Sequence, residues 1–234
     1  MYFRTIILKH KNIIMKKQLI LLMSTLFLWS STLFSQEEKE MQYLLSGPNR
    51  PSISGFGGPF VEFSAVEGDM AVFVGGGGAL LLGQTFYIGV YGEGLTTSHY
   101  RYDLSDVTGI EEPKISLGHG GFWLGYIHDS FKAIHPAASL KIGWGQIALY
   151  DSYYSYDPTD YVANDGIFVL IPQLEVEMNL TAWFKVNAGA GYRWMTGMDK
   201  QYSKDGTMHD YFQSSDYNSF VGTISLLFGG FGNK

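Results

Sequence analysis

The sequence predicts an all-β protein, an eight-stranded antiparallel up-and-down transmembrane β-barrel, and three observations support this prediction. From Phe56 onward apolar and polar side chains alternate at period two, which sends successive side chains to opposite faces of a sheet. Most predicted strands have about 11 to 14 residues, enough for the roughly 9 to 11 tilted residues that cross a bilayer. Charged residues make up only 16% of the chain, against about 25% in soluble domains.

The N-terminal segment has the pattern of a secretory signal peptide. Lys16 and Lys17 precede an apolar run from Leu19 to Trp29, and small or polar residues follow. The run is too short for a transmembrane helix. We expect residues 1–35 to be a signal peptide that starts at Met15 and is cleaved after Ser35. Residues 36–55 are then an N-terminal arm or linker, and residues 56–234 form the β-barrel domain.

Eight strands follow from the alternation, at residues 60–66, 70–82, 86–96, 114–127, 138–150, 167–178, 185–196 and 219–229. The clearest pattern lies in the sixth strand, where Leu174 and Val176 alternate with Glu175 and Glu177. A glycine run at residues 75–78 interrupts the second strand. Because neither a GK[ST] continuation nor a GxGxxG helix start follows it, we interpret this run as a strand bend or bulge and not as a phosphate-binding loop.

The predicted connections differ between the two ends of the barrel. Three long connections, at residues 97–113, 151–166 and 197–218, fall at the same end as the short link 67–69, while shorter turns and both termini fall at the other. Outer-membrane barrels have this asymmetry. The four connections at the first end together carry a charge of −11, the whole net charge of residues 36–234. One end of the barrel is therefore expected to be acidic.

Few charged residues lie within the predicted strands, and most share the face opposite the apolar one. Because unpaired charge in an enclosed lumen is costly, we expect these groups to neutralise one another inside the barrel. An eight-stranded barrel is just wide enough for side chains to fill it. The sequence thus predicts a structural polar plug and no open pore, formed by Glu62, Glu93, Lys141, Glu175, Glu177, Lys185 and Arg193.

The most distinctive predicted loop, residues 151–166, interleaves aspartates with tyrosines. Its acidic groups suit Ca²⁺, but their spacing does not fit the D-x-[DN]-x-[DN]-G calcium loop. Tyrosine-rich acidic loops are also good contact surfaces for proteins or glycans. The surface-contact candidates are Asp151, Tyr153, Tyr154, Tyr156, Asp157, Asp160, Tyr161 and Asp165. Expected partners are outer-membrane lipid and, at the loops, divalent cations, glycan or a basic protein.

Other partners and cofactors are disfavoured by composition. A net charge of −11 after residue 35 disfavours nucleic acid, which is bound through clustered Lys and Arg. The chain has no cysteine, which excludes a disulfide scaffold and a thiolate metal site. We expect a monomer that needs no cofactor and lies in the cell outer membrane.

No strong catalytic motif is present. His128 and Ser130 form the single His-x-Ser pair, but the predicted topology places them in an inner turn without an assignable acidic third member. We expect a non-enzymatic protein that acts through acidic, tyrosine-rich loops in envelope structure, adhesion or ligand contact. The alternatives are an outer-membrane lipid-modifying hydrolase and a soluble exported barrel that binds an apolar ligand.

With these features the chain resembles the small eight-stranded outer-membrane barrels of Gram-negative bacteria, the OmpA-transmembrane and OmpX-like group. The FSQ cleavage region and residues 54–83, SGFGGPFVEFSAVEGDMAVFVGGGGALLLG, are further similar to uncharacterised exported barrel proteins of Bacteroidota. This resemblance implies a membrane-embedded barrel over residues 56–231. The chain departs from the group in one respect, since Phe231 is followed by Gly232, Asn233 and Lys234 where such barrels commonly end on an aromatic residue.

Overall fold

The computed structural model describes residues 52–151, 161–204 and 206–231. Its strands are β1 (Ile53–Val66), β2 (Asp69–Leu82), β3 (Phe86–Leu95), β4 (Pro113–Ile127), β5 (Ile134–Asp151), β6 (Tyr161–Asn179), β7 (Phe184–Thr196), β8 (Gln201–Lys204), β9 (Thr207–Asp210) and β10 (Ser219–Gly229). A 3₁₀ turn (Tyr102–Leu104), helix α1 (Ser105–Thr108) and helix α2 (Ser214–Tyr217) lie in the connections. Among the described residues, no helix has the length and apolar character needed to cross a membrane.

Eight of these strands close into an antiparallel barrel in the order β1-β10-β7-β6-β5-β4-β3-β2. Strands β8 and β9 form a separate hairpin within the connection from β7 to β10. The predicted fold class of an eight-stranded antiparallel up-and-down barrel is therefore confirmed. We call the end that carries the short turns at residues 83–85, 128–133 and 180–183 the inner end, and the opposite end, which carries the longer connections, the outer end.

Three strand features differ from the alternation pattern. Strand β1 begins at Ile53 and not at the predicted residue 60. The prediction missed its first half because Gly57, Gly58 and Pro59 show no alternation of polar and apolar side chains. Strand β6 begins at Tyr161, well before the predicted residue 167. The glycine run in β2 is not a bulge, since β2 keeps a continuous register with both β1 and β3. The pairing of β5 with β6 instead shifts register between Leu149 and Tyr150.

The two faces of each barrel strand differ sharply in exposure. In β6, Leu174 and Val176 are 75% and 52% exposed, whereas the alternate residues Glu175 and Glu177 are buried. Strand β7 repeats this arrangement, with Trp194 exposed and Arg193 fully buried. Large apolar side chains thus cover the outside of the barrel, and ionisable groups lie inside it.

The sequence predicts a polar plug inside the barrel. The structure shows in addition two clusters of apolar side chains in the interior, one towards each end. The outer-end cluster contains Val66, Ala71, Phe73, Leu104, Ile115, Leu117, Ile147, Leu149, Ala163, Ile167, Val169, Ile171, Met195, Phe212, Tyr217 and Val221. The inner-end cluster contains Phe56, Phe60, Ala79, Leu81, Tyr87, Tyr91, Trp123, Ile127, Ala137, Leu227 and Phe231. Leu104, Phe212 and Tyr217 come from the connections after β3 and β7, so these described segments pack over the lumen at the outer end.

Two interior aromatic rings depend on glycines in nearby strands. A Cβ atom at Gly125, which pairs with Tyr87 across β3 and β4, would overlap the Tyr87 ring, and one at Gly77 of β2 would lie 3.0 Å from Cε3 of Trp123. The two rings also meet each other edge to face, with centroids 5.4 Å apart. Glycine at these positions therefore provides the space that the rings occupy.

We expect Gly125→Ala to lower the free energy of unfolding by about 1–3 kcal/mol, because the added methyl group overpacks the Tyr87 ring. The matched control is Gly92→Ala, where a Cβ would meet no atom within 4 Å. Urea unfolding of both variants, reconstituted in lipid vesicles, measures the difference. Equal stability of the two variants would contradict the packing that we describe.

Candidate functional site

The first half of the interior network centres on Arg193 in β7. Its Nη1 donates to Oε1 of Glu62 at 3.1 Å and to Oγ of Ser64 at 3.0 Å. Its Nη2 donates to the carbonyl of Ala65 at 2.9 Å, and its Nε donates to the carbonyl of Tyr217 at 3.1 Å. One planar guanidinium therefore joins strand β1, helix α2 and a buried carboxylate, a geometry that suits arginine and not lysine.

Lys141 of β5 completes this central cluster. Its Nζ donates to Glu93 Oε1 at 3.3 Å and lies 3.8 Å from Glu62 Oε2. The same ammonium group lies 3.9 Å from the centroid of the Phe60 ring, a cation–π contact. Two carboxylates and two cations thus balance, and the side chain of each is at most 1% exposed.

A second ionic cluster lies nearer the inner end, between β5, β6 and β7. Oε2 of Glu177 accepts from Lys185 Nζ at 2.9 Å and lies 3.0 Å from Nε2 of His135. Its neighbour Glu175 accepts from Asn187 Nδ2 at 2.7 Å and from the Ser139 hydroxyl. All seven residues that the sequence predicts for the lumen network are buried in these two clusters.

Sequence reasoning missed several polar members of the same network. His135, Ser139, Gln173, Asn187, Thr223 and Ser225 are also buried. His135 lies on the same face of β5 as Ser139 and Lys141, so period-two alternation could have predicted that it points inward. The neighbouring Pro136 obscures this pattern in the sequence. Apolar side chains fill the lumen towards both ends. Between them, the hydrogen bonds of the network run from strand to strand and so join the barrel walls.

The outer surface of the barrel carries a broad apolar belt between aromatic rims. At the inner rim the rings of Phe184 and Phe228 stack with centroids 4.9 Å apart, and Trp183 stacks on Phe228. Towards the outer end, Tyr192 contacts Trp194 and Phe220. The belt between these rims includes the exposed side chains Leu80, Ile88, Val90, Phe122, Trp144, Leu174, Val176 and Ile224. Tyr217, near the outer start of β10, does not join these rims and is fully buried.

At the outer end, Arg101 links three connections. Its Nη1 donates to Glu67 Oε1 at 2.7 Å and to the Tyr211 carbonyl at 2.8 Å. Its Nε and Nη2 pair with the two carboxylate oxygens of Asp103 at 2.9 and 2.7 Å. The Tyr217 hydroxyl also donates to Glu67 Oε1. We call this group of Glu67, Arg101, Asp103, Tyr211 and Tyr217 the outer clamp.

The pKa values in the outer clamp follow from burial and from Arg101. The hydrogen bond from Arg101 lowers the pKa of Asp103. Burial raises the pKa of Glu67, and Arg101 opposes that rise. A carboxyl with a lowered folded-state pKa stabilises the fold above its ordinary range and loses that effect as the pH falls through the lowered value. Asp103 therefore favours the ordered loops at neutral pH, whereas ionised Glu67 depends on Arg101 to offset its burial.

We expect Arg101→Met to speed amide hydrogen exchange in residues 96–112 by about tenfold at neutral pH, because hydrogen bonds to charged groups stabilise by roughly 1.5–3 kcal/mol. Asp103 loses its depressed pKa in this variant, so acidification should change the exchange less than in the wild type. Lys132→Met is the control, since it removes a cation paired with exposed Asp129 at the inner end. Equal exchange in Arg101→Met and the wild type would show that the clamp does not order the loops.

The structure separates the predicted surface-contact residues from one another. Asp151 ends β5, opposite Pro113. Asp165 does not lie in a surface loop but in β6, where it is buried and accepts the backbone N–H of Lys200 at 3.0 Å. Tyr161 opens β6. Tyr153, Tyr154, Tyr156, Asp157 and Asp160 lie outside the residues that the structure describes.

The His-x-Ser pair lies in the inner turn between β4 and β5. His128 Nδ1 lies 3.4 Å from the Tyr126 hydroxyl, and its Nε2 lies 3.5 Å from Asp129. The Ser130 carbonyl accepts from Asn179 Nδ2 at 2.8 Å, so this segment is tied into the end of β6. Within residues 52–151, 161–204 and 206–231, no three His, Asp or Glu side chains converge into a metal-binding group.

Taken together, the geometry of the described residues defines a closed barrel with a filled, ion-paired interior, an apolar exterior and a hydrogen-bonded clamp at the outer end. No protein-family model matches the chain, and no curated protein matches it in sequence. Solved structures to which it is similar include the crystal structure of Neisserial surface protein A, with 9% identity and a TM-score of 0.48 over 76% of this chain and 96% of that one.

Two further similar structures are described as barrel or outer-membrane proteins. One is the N-terminal β-barrel domain of Pseudomonas aeruginosa OprF, with 8% identity and a TM-score of 0.45, covering 76% of this chain and 98% of that one. The other is a major outer membrane protein from Thermus thermophilus, with 8% identity and a TM-score of 0.43, covering 75% of this chain and 98% of that one.

Proposed function

We propose that this chain is a non-enzymatic outer-membrane β-barrel protein that acts through its acidic outer-end loops. The observation that carries the proposal is the inversion of polarity across the barrel wall. Leu174 is 75% exposed on the outside while its neighbours Glu175 and Glu177 are buried inside. In water such a surface is an extensive apolar patch, but in a bilayer it is the expected lipid-facing band of a transmembrane barrel.

Cell fractionation tests the location. We expect the protein, expressed with residues 1–35 in a Gram-negative host, to be recovered in the outer-membrane fraction and to need detergent for extraction. The folded barrel should also migrate differently on gels before and after boiling. Recovery in the soluble periplasmic fraction with unchanged migration would overturn the proposal and favour a soluble exported barrel.

At the outer end, the loops present acidic and aromatic groups around the ordered clamp. Tyr102 is 61% exposed and stacks on Tyr100, with ring centroids 5.6 Å apart. Exposed carboxylates lie in the same connection and in the connection from β7 to β10, at Asp103, Asp106, Glu111, Asp199 and Asp210. We propose that this surface contacts a basic protein segment, because rigid tyrosines supply contact area and the clustered negative charge attracts cations.

Binding of an oligolysine peptide to the barrel in phosphatidylcholine vesicles tests the loop surface. We expect binding that weakens with salt and falls at least about tenfold in the triple variant Asp106→Lys, Glu111→Lys and Asp210→Lys. The control is Asp129→Lys, which reverses one charge at the inner end. Absence of oligolysine binding, or selective retention of Ca²⁺ or of a glycan in its place, would overturn the choice of partner while leaving the membrane location intact.

A further inference from the structure

His135 has hydrogen-bond acceptors at both of its ring nitrogens. It lies near the inner end at the start of β5 and is 1% exposed. Its Nδ1 is 2.9 Å from the carbonyl oxygen of Lys132, and its Nε2 is 3.0 Å from Oε2 of Glu177. A carbonyl oxygen and an ionised carboxylate accept hydrogen bonds and donate none. Each ring nitrogen must therefore carry a proton if both contacts are hydrogen bonds.

The surrounding contacts leave no alternative orientation for the ring. The Lys132 carbonyl also accepts from Asn179 Nδ2 at 2.7 Å, which fixes its position. Turning the imidazole over would place ring carbons against both acceptors. The orientation of His135 is thus determined by its neighbours.

The shared proton on the Glu177 side resides on the imidazole. Lys185 Nζ lies 2.9 Å from the same Glu177 oxygen and favours the ionised carboxylate, and imidazole is a stronger base than a carboxylate. Glu175 lies beside Glu177 in β6, so the cluster holds two carboxylates against Lys185. Tyr87 of β3 also faces these carboxylates, and Asp129 and Lys132 pair with each other on the adjoining turn.

We infer that His135 is a buried imidazolium whose two hydrogen bonds latch the β4–β5 turn to β6. His119 provides the contrast within the same barrel. Its Nδ1 faces the Tyr91 hydroxyl at 3.2 Å, which is able to donate, and its buried Nε2 has no hydrogen-bond partner, so its contacts do not require a proton on both nitrogens.

Nitrogen NMR of the imidazole rings of the wild-type protein in detergent micelles tests the inference. At neutral pH we expect both His135 nitrogens at shifts typical of protonated nitrogen and one His119 nitrogen at an unprotonated shift. His135→Gln and His119→Gln assign the signals. An unprotonated His135 nitrogen at neutral pH would overturn the inference.

A charge-removing variant supplies a second test. In Glu177→Gln the carboxylate that holds the imidazolium is gone, so we expect the doubly protonated His135 signal to be lost at neutral pH. Glu93→Gln is the matched control, because it removes a buried carboxylate from the central cluster and should leave His135 unchanged. An unaltered His135 signal in Glu177→Gln would contradict the latch. The wild-type spectrum decides the question even if a variant does not fold.

Discussion

Replacing Arg193 with leucine is expected to lower the free energy of unfolding by about 3–5 kcal/mol, the usual effect of removing one partner of a buried ion pair. The variant leaves Glu62 inside the barrel with Lys141 at 3.8 Å as its remaining cation. It also deprives the Ala65 and Tyr217 carbonyls of a donor. Urea unfolding of barrels reconstituted in lipid vesicles measures the loss.

Two further variants separate charge from packing at this position. Arg193→Lys keeps the positive charge but lacks the planar fork, so we expect an intermediate loss. Adding Glu62→Gln to Arg193→Leu should recover part of the stability, since the uncompensated charge is then gone. Lys114→Leu is the surface control, with an expected change of at most about 1 kcal/mol. Wild-type stability in Arg193→Leu would mean that the central cluster does not hold the barrel together.

The largest effect on the outer surface is expected for Leu174→Arg. Leu174 is 75% exposed and lies opposite Ala190 of β7, between the aromatic rims. Placing arginine on the lipid face of a barrel near the bilayer midplane destabilises it by about 2–4 kcal/mol. If the exterior faced water, the same change would alter stability by no more than about 0.5 kcal/mol.

A matched substitution in the loops identifies the source of that effect. Met208 of β9 is 59% exposed and belongs to the hairpin outside the barrel wall. We expect Met208→Arg to leave the free energy of unfolding nearly unchanged in the same vesicles. A similar loss in both variants would point to a general effect of arginine and not to burial in lipid.

Alternation made the barrel wall predictable from the sequence. In β6 the run from Gln173 to Glu177 has one apolar and one polar face, and the structure places those faces outside and inside. The same regularity brings the predicted ionisable groups into one lumen, because residues two apart share a face of a strand.

Where both faces of a strand are apolar, alternation does not reveal what fills the interior. Residues 168–171 read FVLI, and period two places Val169 and Ile171 on the inner face with Gln173, but it does not indicate the apolar outer-end cluster in which they are buried. The position of Tyr217 likewise depends on the fold of a loop and on its hydrogen bond to Glu67, 150 residues away in the chain. Contacts of this kind follow from tertiary packing and not from local pattern.

The most direct test of a lipid-facing exterior compares two tryptophans in vesicles of lipid brominated on the acyl chains. Trp144 is 54% exposed on the barrel wall, whereas Trp123 is 2% exposed in the lumen. In variants that retain one of these tryptophans and carry phenylalanine at the other and at Trp183 and Trp194, we predict strong bromine quenching of Trp144 fluorescence and little quenching of Trp123. Equal protection of both tryptophans from the brominated chains would contradict a barrel whose apolar surface lies in lipid.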